Sequence, residues 1–169
     1  MTYKLDQFDR KILTTLQRDA GLTVSELAAR IGLSTSPCWR RLKRLEDAGV
    51  LKKRVAILDP ERLGLDVIVF AEIKLEVHGQ EALPNFQQAV AKLPEVLECY
   101  TVMGEIDFLL KVVTTDIHAY ERFLHQLLSL PMVREINSRM AVSEIKCTNE
   151  LPLGLLTAGT EKIAPHGNY

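Results

Sequence analysis

The hydrophobic positions in the first third of the chain follow a helical period. Ile12, Leu13 and Leu16 recur with Phe8 at spacings of three and four residues, which places all four on one face of a helix. Asp6 precedes them and is a typical N-cap, since its side chain can accept a hydrogen bond from the first turn. The pattern predicts an amphipathic first helix that buries this stripe.

Two further helices are predicted at short spacing. Thr23 and Glu26 have the spacing of a capping box. The helix that follows has four positions for burial: Val24, Leu27, Ala28 and Ile31. After a turn at Gly32, Ser34 is the predicted N-cap of a third helix, whose first turn accommodates Pro37. A helix, a short turn and a second helix are typical of DNA-binding domains.

The third helix separates an apolar side from a basic side. At 100° per residue, Cys38, Leu42 and Leu45 share the apolar side, while Arg40 lies opposite. Trp39 falls at the border, and we expect it to pack partly into the core rather than to contact DNA. The basic side suits the major groove, because long cations reach guanine edges or phosphates and hydroxyl groups bond to phosphates.

Residues 50–58, after the third helix, are predicted to form a short β-wing with three more cations, which completes a winged helix-turn-helix. The predicted DNA-contacting residues are Ser34, Thr35, Ser36, Arg40, Arg41, Lys43, Arg44, Lys52, Lys53 and Arg54. The alternative is a solvated helix whose charges only face water.

The rest of the chain changes to a strand period. Ala71, Ile73, Leu75 and Val77 alternate with polar residues, which is typical of a strand with one wet face. Strands are predicted at 67–77, 96–102, 107–114 and 133–145, and helices at 81–93 and 117–130. The order βαββαβ predicts a ferredoxin-like α+β domain. Two helices cover one face of such a sheet, so we expect self-association through the other face.

These elements give the domain boundaries. We predict a winged helix-turn-helix domain at 1–58, a hinge at 59–66, a second domain at 67–150 and a C-terminal tail at 151–169. We expect about the last ten residues to be disordered.

Charge divides the chain at the same place. Residues 1–60 hold 12 Lys and Arg against 7 Asp and Glu, a net charge of +5, whereas residues 61–169 hold 9 against 15, a net charge of −6. Only the first segment is therefore expected to meet a polyanion.

Composition excludes several classes of protein. No apolar run approaches the roughly 20 residues of a membrane span, and no signal-peptide pattern is present, so we expect a cytoplasmic protein. Three widely spaced cysteines without a CxxC pair predict reduced thiols and no metal site. A thiol sensor at Cys38 is disfavoured by its place on the apolar side. The sequence contains no nucleophile elbow, no phosphate-binding glycine loop and no histidine cluster. We therefore expect neither an enzyme nor a cofactor.

Five segments occur in order along the chain: LDQFDRKIL at 5–13, LAARIGLSTSPCWRRLKRLEDAGVL at 27–51, ILDPERLGL at 57–65, GEIDFLL at 104–110 and LPL at 151–153. Together they resemble the Lrp/AsnC family of feast/famine transcription regulators. The resemblance implies an N-terminal DNA-binding domain and a C-terminal ligand-binding and oligomerisation domain of the RAM type. It also implies dimers that often join into octamers, and an amino-acid effector. The segment SPCWRRLKRLEDAG resembles the branch with cysteine-responsive and leucine-responsive members.

The resemblance also implies a place for the effector, at the turn between the second and third strands and a neighbouring last strand, where dimers meet. In this chain these positions are Val102, Met103, Gly104, Glu105, Ile106 and Asp107, with Asn137, Ser138 and Arg139 opposite. A glycine turn exposes N–H groups to a carboxylate, and Asp107 can meet an ammonium group. The alternative is a simple hairpin turn that Asp107 caps. At the position of Asn137, many members of this family have a small hydroxyl residue instead.

We therefore expect a sequence-specific DNA-binding transcription regulator, and not an enzyme, that is modulated by a small leucine-like or cysteine-like amino acid. The alternative is an architectural DNA-binding protein without an effector. Two recognition helices related by a two-fold axis should read half-sites about one turn of DNA, or a multiple of it, apart.

Overall fold

The chain divides into two compact units. The structure is a computed structural model and describes residues 3–76 and 82–156. Within these residues, the first unit extends to Ile57 and takes in the residues from Lys146 onward, while the second unit is Leu58–Ile145. The predicted boundaries instead assign 146–150 to the second domain. The predictions for Val77, Glu81 and the last ten residues fall outside the described residues.

The first unit is built on three helices: α1 (Gln7–Arg18), α2 (Val24–Ile31) and α3 (Thr35–Asp47). Asp6 caps α1 and Thr23 caps α2, each in a capping box, as the sequence predicts. Gly32 ends α2 with a φ of 74°, a conformation that favours glycine. Ser34 is the N-cap of α3 by position, but its side chain makes no capping hydrogen bond.

The core of the first unit draws on all three helices. Its buried apolar residues are Ile12, Leu13, Leu16, Leu22, Leu27, Ala28, Ile31, Cys38, Leu42 and Leu45. Phe8 and Val24, which we predict to be buried, are only half-buried. The helical period therefore identifies the core of this unit well. No helix in the described parts of the chain is long and apolar enough to cross a membrane.

The predicted β-wing is not formed as a strand. Residues 50–58 belong to no β-ladder, and Val55 and Ile57 are exposed. Alternating apolar residues favour a strand, but a strand is stable only when another pairs with it. Within the described residues, this segment has no such neighbour.

The second unit is an antiparallel sheet with two helices. Its elements are β1 (Val67–Leu75), α4 (Ala82–Val90), β2 (Val96–Thr101), β3 (Phe108–Thr114), α5 (Ile117–Leu128) and β4 (Val133–Met140). The strands lie in the order β2-β3-β1-β4, which confirms the predicted ferredoxin-like arrangement. The last strand ends at Met140 rather than at 145, because its ladder with β1 ends at the pair Val69 and Met140 and is followed only by the hydrogen bond from the Ala141 N–H to the Ile68 carbonyl.

The sheet has a covered face and an exposed face. Ile73 lies between Phe108 of β3 and Ile136 of β4, and paired residues in an antiparallel sheet point to the same side. These residues pack toward α4 and α5, together with the buried residues Val69, Ala71, Leu75, Phe86, Val90, Leu110, Val112, Tyr120, Phe123 and Leu127. Phe70, which points the other way, is 39% exposed.

The described residues from 150 to 156, here called the C-terminal segment, lie against α1. The Leu151 N–H donates to Gln17 Oε1 over 2.6 Å, and the Gln17 amide donates back to the Leu151 carbonyl over 3.2 Å. The Arg10 guanidinium donates to the Leu153 carbonyl over 3.1 Å. Since Leu153 also packs on the core, the first unit combines the helices with residues that follow the second unit in the chain.

Candidate DNA-binding and effector sites

One face of α3 is exposed. Cys38 and Leu45 on the opposite face are fully buried. We call the exposed surface that is formed by Thr35, Ser36, Trp39, Arg40 and Lys43 the recognition face. These residues lie next to one another because residues three and four apart on a helix are neighbours.

Trp39 belongs to the recognition face and not to the core. Trp39 is 54% exposed, and the described residues that pack on the core of this unit do not include it, so the prediction of partial core packing is wrong. The reason is angular, since Trp39 is rotated by about 100° from Cys38, at the centre of the buried side.

Arg41 and Arg44 point away from the recognition face, toward α1. Arg41 donates to Asp9 Oδ1 over 2.9 Å and also pairs with Asp6. Arg44 donates to both oxygens of Asp9, over 3.0 and 2.8 Å. Asp9 is fully buried. We call Asp6, Asp9, Arg41 and Arg44 the aspartate–arginine cluster; it joins α3 to α1.

The cluster also shifts the ionisation of its members. The Asp9 backbone N–H, and after it the Arg41 guanidinium, lower the pKa of the Asp6 carboxyl against the opposing effect of burial. The hydrogen bond to Asp6 raises the pKa of Arg41. Two carboxylates and two guanidinium groups cancel in charge, so these arginines add little to the net charge that DNA would meet.

The two aspartates of this cluster are not among the residues predicted to form a site, although the sequence carries a signal for one of them. Asp9 lies three and four residues before Ile12 and Leu13, on the buried stripe of α1. A carboxylate at such a position needs a cationic partner, because an unpaired buried charge is strongly unfavourable.

The other predicted DNA-contacting cations have different surroundings. Lys43 pairs with Asp47 over 3.0 Å at the far end of α3, and this bond raises the pKa of Lys43. Arg54 pairs with Glu46 over 3.3 Å. Lys52 and Lys53 are exposed. The structure therefore places Arg40 and Lys43 beside the hydroxyl groups on one face of α3. Lys43, Arg41, Arg44 and Arg54 each pair with an acidic side chain.

The β2–β3 turn holds the first half of the predicted effector site. The Val102 N–H donates to the Asp107 carbonyl over 3.0 Å and closes the turn. Gly104 has a φ of 139°, and Met103 is fully exposed. Asp107 Oδ2 accepts a hydrogen bond from the Leu75 N–H over 2.7 Å, so this carboxylate also fixes the turn to the end of β1.

The second half of the predicted site is split between the two faces of the sheet. On the exposed face, Asn137 donates to Glu72 over 3.2 Å, and Arg139 pairs with the same carboxylate over 3.2 Å. The Ser138 hydroxyl lies on the covered face and hydrogen-bonds to the Tyr120 hydroxyl. Successive residues of a strand alternate between faces, so Ser138 shares a surface with neither Asn137 nor Arg139.

A single chain does not bring the two halves together. Asn137 lies opposite Glu72 of β1, and Glu72 lies opposite Leu109 of β3. Two strand spacings, about 10 Å, therefore separate β4 from β3. The turn is also nearer to Leu75, at the end of β1, than to Glu72.

A helix-turn-helix unit with an exposed basic helix, joined to an α+β unit with a glycine turn, defines a two-domain DNA-binding regulator. Residues 5–52 match the winged helix-turn-helix DNA-binding family, and residues 68–151 match the Lrp/AsnC ligand binding domain. The chain belongs to the Lrp/AsnC family of transcriptional regulators.

Similar proteins include regulators from several bacteria. The chain is 42% identical over 150 residues to the DNA-binding transcriptional activator DecR of Escherichia coli, covering 88% of this chain and 99% of DecR. It is 43% identical over 153 residues to the glutamate uptake regulatory protein of Zymomonas mobilis, covering 90% and 93%. A Neisseria meningitidis transcriptional regulator, solved as a complex with L-Met, superposes with a TM-score of 0.86 at 41% identity, covering 89% and 98%. The chain is therefore a DNA-binding transcriptional regulator and not an enzyme.

Proposed function

We propose that this regulator acts in the cytoplasm as a homo-oligomer, reads DNA through the recognition face of α3, and responds to an amino acid bound at the β2–β3 turn. The observation that carries the DNA-binding part is the exposed Arg40, which has no acidic partner within the described residues. Its guanidinium is available for a guanine edge.

The residues around Arg40 are assigned to phosphates. Ser34, Thr35 and Ser36 lie at the start of α3, where backbone N–H groups and hydroxyls favour an anion. Lys52 and Lys53 follow α3 on an exposed segment. Phosphate contacts position a protein on the duplex, and base contacts determine the sequence that it selects.

This assignment predicts different effects for two alanine variants. Arg40→Ala weakens binding to the specific site by roughly 5- to 150-fold, the usual cost of a lost base contact, and changes binding to random DNA much less. Lys52→Ala weakens both about equally and reduces the slope of log affinity against log salt by about one. Fluorescence anisotropy titrations at several salt concentrations measure both effects.

The control for this pair is Arg62→Ala, which removes an arginine whose side chain is 86% exposed in the second unit. It should leave both affinities unchanged. Equal losses on specific and random DNA for Arg40→Ala would contradict its role in base reading.

An amino-acid effector is supported by the L-Met complex of the Neisseria relative and by the geometry of the turn. A positive-φ glycine exposes backbone N–H groups to a carboxylate, and Met103 offers apolar surface. Asn137 and Arg139, on the exposed face of the sheet, are proposed to reach the effector from a second copy of the chain, since they lie away from the turn in the same copy.

The exposed face of the sheet is the proposed surface for self-association. Phe70 and Tyr100 are 39% and 54% exposed there, amid charged residues such as Glu72 and Lys111. Apolar side chains within a polar rim are typical of protein–protein contacts. Dimers that join into octamers are the proposed assembly, and sedimentation velocity with and without effector tests it.

A thermal-shift screen against the twenty amino acids is expected to identify the effector. A ligand at one hundred times its dissociation constant stabilises the folded state by about 2.7 kcal/mol, which raises the melting temperature measurably. Leucine-like, cysteine-like and methionine side chains are the first candidates. If no amino acid changes the melt while DNA still binds, the architectural alternative without an effector is favoured.

A further inference from the structure

Trp39 is the only tryptophan of the chain, and it lies in the middle of the recognition face. Thr35 and Ser36 precede it by one helical turn, and Lys43 follows it by one turn, with Arg40 adjacent. More than half of the surface of this residue is accessible to water. A large apolar side chain is thus placed among hydroxyl groups and cations.

Trp39 is not part of the core of the first unit. Cys38, Leu42 and Leu45 fill the buried side of α3 and are at most 5% exposed. The two other aromatic residues described in the first unit, Tyr3 and Phe8, are half-buried and lie beside the guanidinium groups of the aspartate–arginine cluster. Exposed aromatic residues are common at binding surfaces, because they gain contact area at a small entropic cost.

The major groove offers one apolar group to such a side chain. Among the base edges in this groove, only thymine carries a methyl group, and the polar contact points are hydrogen-bond donors and acceptors. The sugar–phosphate backbone carries no such sequence-dependent group. An indole beside Arg40 therefore matches a thymine beside the base that Arg40 reads.

We propose that Trp39 is a specificity-determining residue, whose indole packs on the 5-methyl group of a thymine in each half-site. This inference rests on the proposed function, because it requires that the recognition face enters the major groove. Arg40 and Trp39 then read neighbouring bases by different chemistry, one by hydrogen bonds and the other by apolar contact.

The experiment begins with a binding site that the wild-type protein selects from random-sequence DNA. Each thymine of this site is replaced singly by uracil, which removes only the methyl group. At one position in each half-site, uracil is expected to weaken wild-type binding by about fivefold to tenfold, the lower end of the cost of a mismatched base pair. Trp39→Ala should bind the thymine and uracil sites equally. Trp39→Phe, which keeps an aromatic ring, should retain part of the preference.

Three results would overturn the inference. The first is an equal preference for thymine over uracil in wild type and Trp39→Ala. The second is an equal loss on specific and random DNA for Trp39→Ala, which would indicate contact with the sugar–phosphate backbone only. The third is unchanged DNA binding with a changed oligomeric state, which would place Trp39 in a protein contact. An unchanged thermal melt of Trp39→Ala shows that the exposed indole is not needed for folding.

The parallel variant Arg40→Ala separates this inference from the proposed function. If Arg40→Ala loses specificity and Trp39→Ala keeps its sensitivity to uracil, only the role of Trp39 fails. If both variants keep full specificity, α3 is not the reading helix, and the proposed function fails with it. The fluorescence of Trp39 adds a direct readout, since its emission should change more on the selected site than on random DNA at equal saturation.

Discussion

Asp9→Asn is expected to destabilise the DNA-binding unit by about 2–3 kcal/mol and to lower its melting temperature by about 10 °C or more. The variant keeps the shape of the side chain but removes the charge that Arg41 and Arg44 share at 2.8–3.0 Å. Removing one partner of a buried ion pair typically costs about 3–5 kcal/mol. The cost is smaller here because the side chains of Arg41 and Arg44 are 27% and 54% exposed and can turn to water.

Thermal unfolding followed by circular dichroism measures this effect, and hydrogen exchange of α1 and α3 shows that the loss is local. Asp47→Asn is the matched control, since it makes the same chemical change in an exposed pair with Lys43. Exposed pairs contribute about 0–1 kcal/mol, so this variant should melt almost as wild type does. Similar melts for the two variants would show that the cluster does not hold α3 on α1.

Gly104→Val is expected to abolish the effector response while leaving DNA binding in the absence of effector unchanged. A φ of 139° is unfavourable for a β-branched residue, so the turn must change its backbone and the direction of its N–H groups. A Cβ at this position would meet no atom within 4 Å, so the effect is conformational and not a steric clash. The effector-dependent rise in melting temperature and the effector-dependent change in DNA affinity both measure the response.

The matched control is Gly64→Val, which introduces the same side chain at another positive-φ glycine of the second unit. Gly64 has a φ of 71° and equally open surroundings, but it lies in the predicted hinge and outside the β2–β3 turn. This variant should also strain the backbone and still respond to the effector. A normal response in Gly104→Val would show that the β2–β3 turn is not part of the effector site. Asp107→Ala is less selective, because it also breaks the hydrogen bond to Leu75.

The helices were predictable from the sequence because their signals are local. Asp6 and Thr23 cap helices whose apolar stripes follow directly, and both capping boxes are present. The strand order was predictable too, since βαββαβ has few compact solutions. The end of β4 and the state of residues 50–58 were not, because pairing depends on a neighbour that alternation in one segment does not reveal.

The functional sites show the same difference between features with a local signal and features that depend on distant residues. A helical projection places Arg40 correctly, but it cannot show that Arg41 and Arg44 have carboxylate partners in another helix. Ser138 and Asn137 are separated because successive side chains of a strand point to opposite faces of the sheet. This alternation applies equally to the effector positions that the family resemblance implies. The C-terminal segment has no local signal at all, since its docking depends on Gln17 and Arg10, more than a hundred residues earlier.

That docking has a consequence for the order in which the protein is made. Domains generally fold as units, with the N-terminal one first during synthesis. Here the helices of the DNA-binding unit leave the ribosome first, yet Leu151 and Leu153, which complete their packing, are translated only after the whole second unit. The regulator therefore completes the packing of its DNA-binding unit last, after the whole ligand-binding domain has been translated.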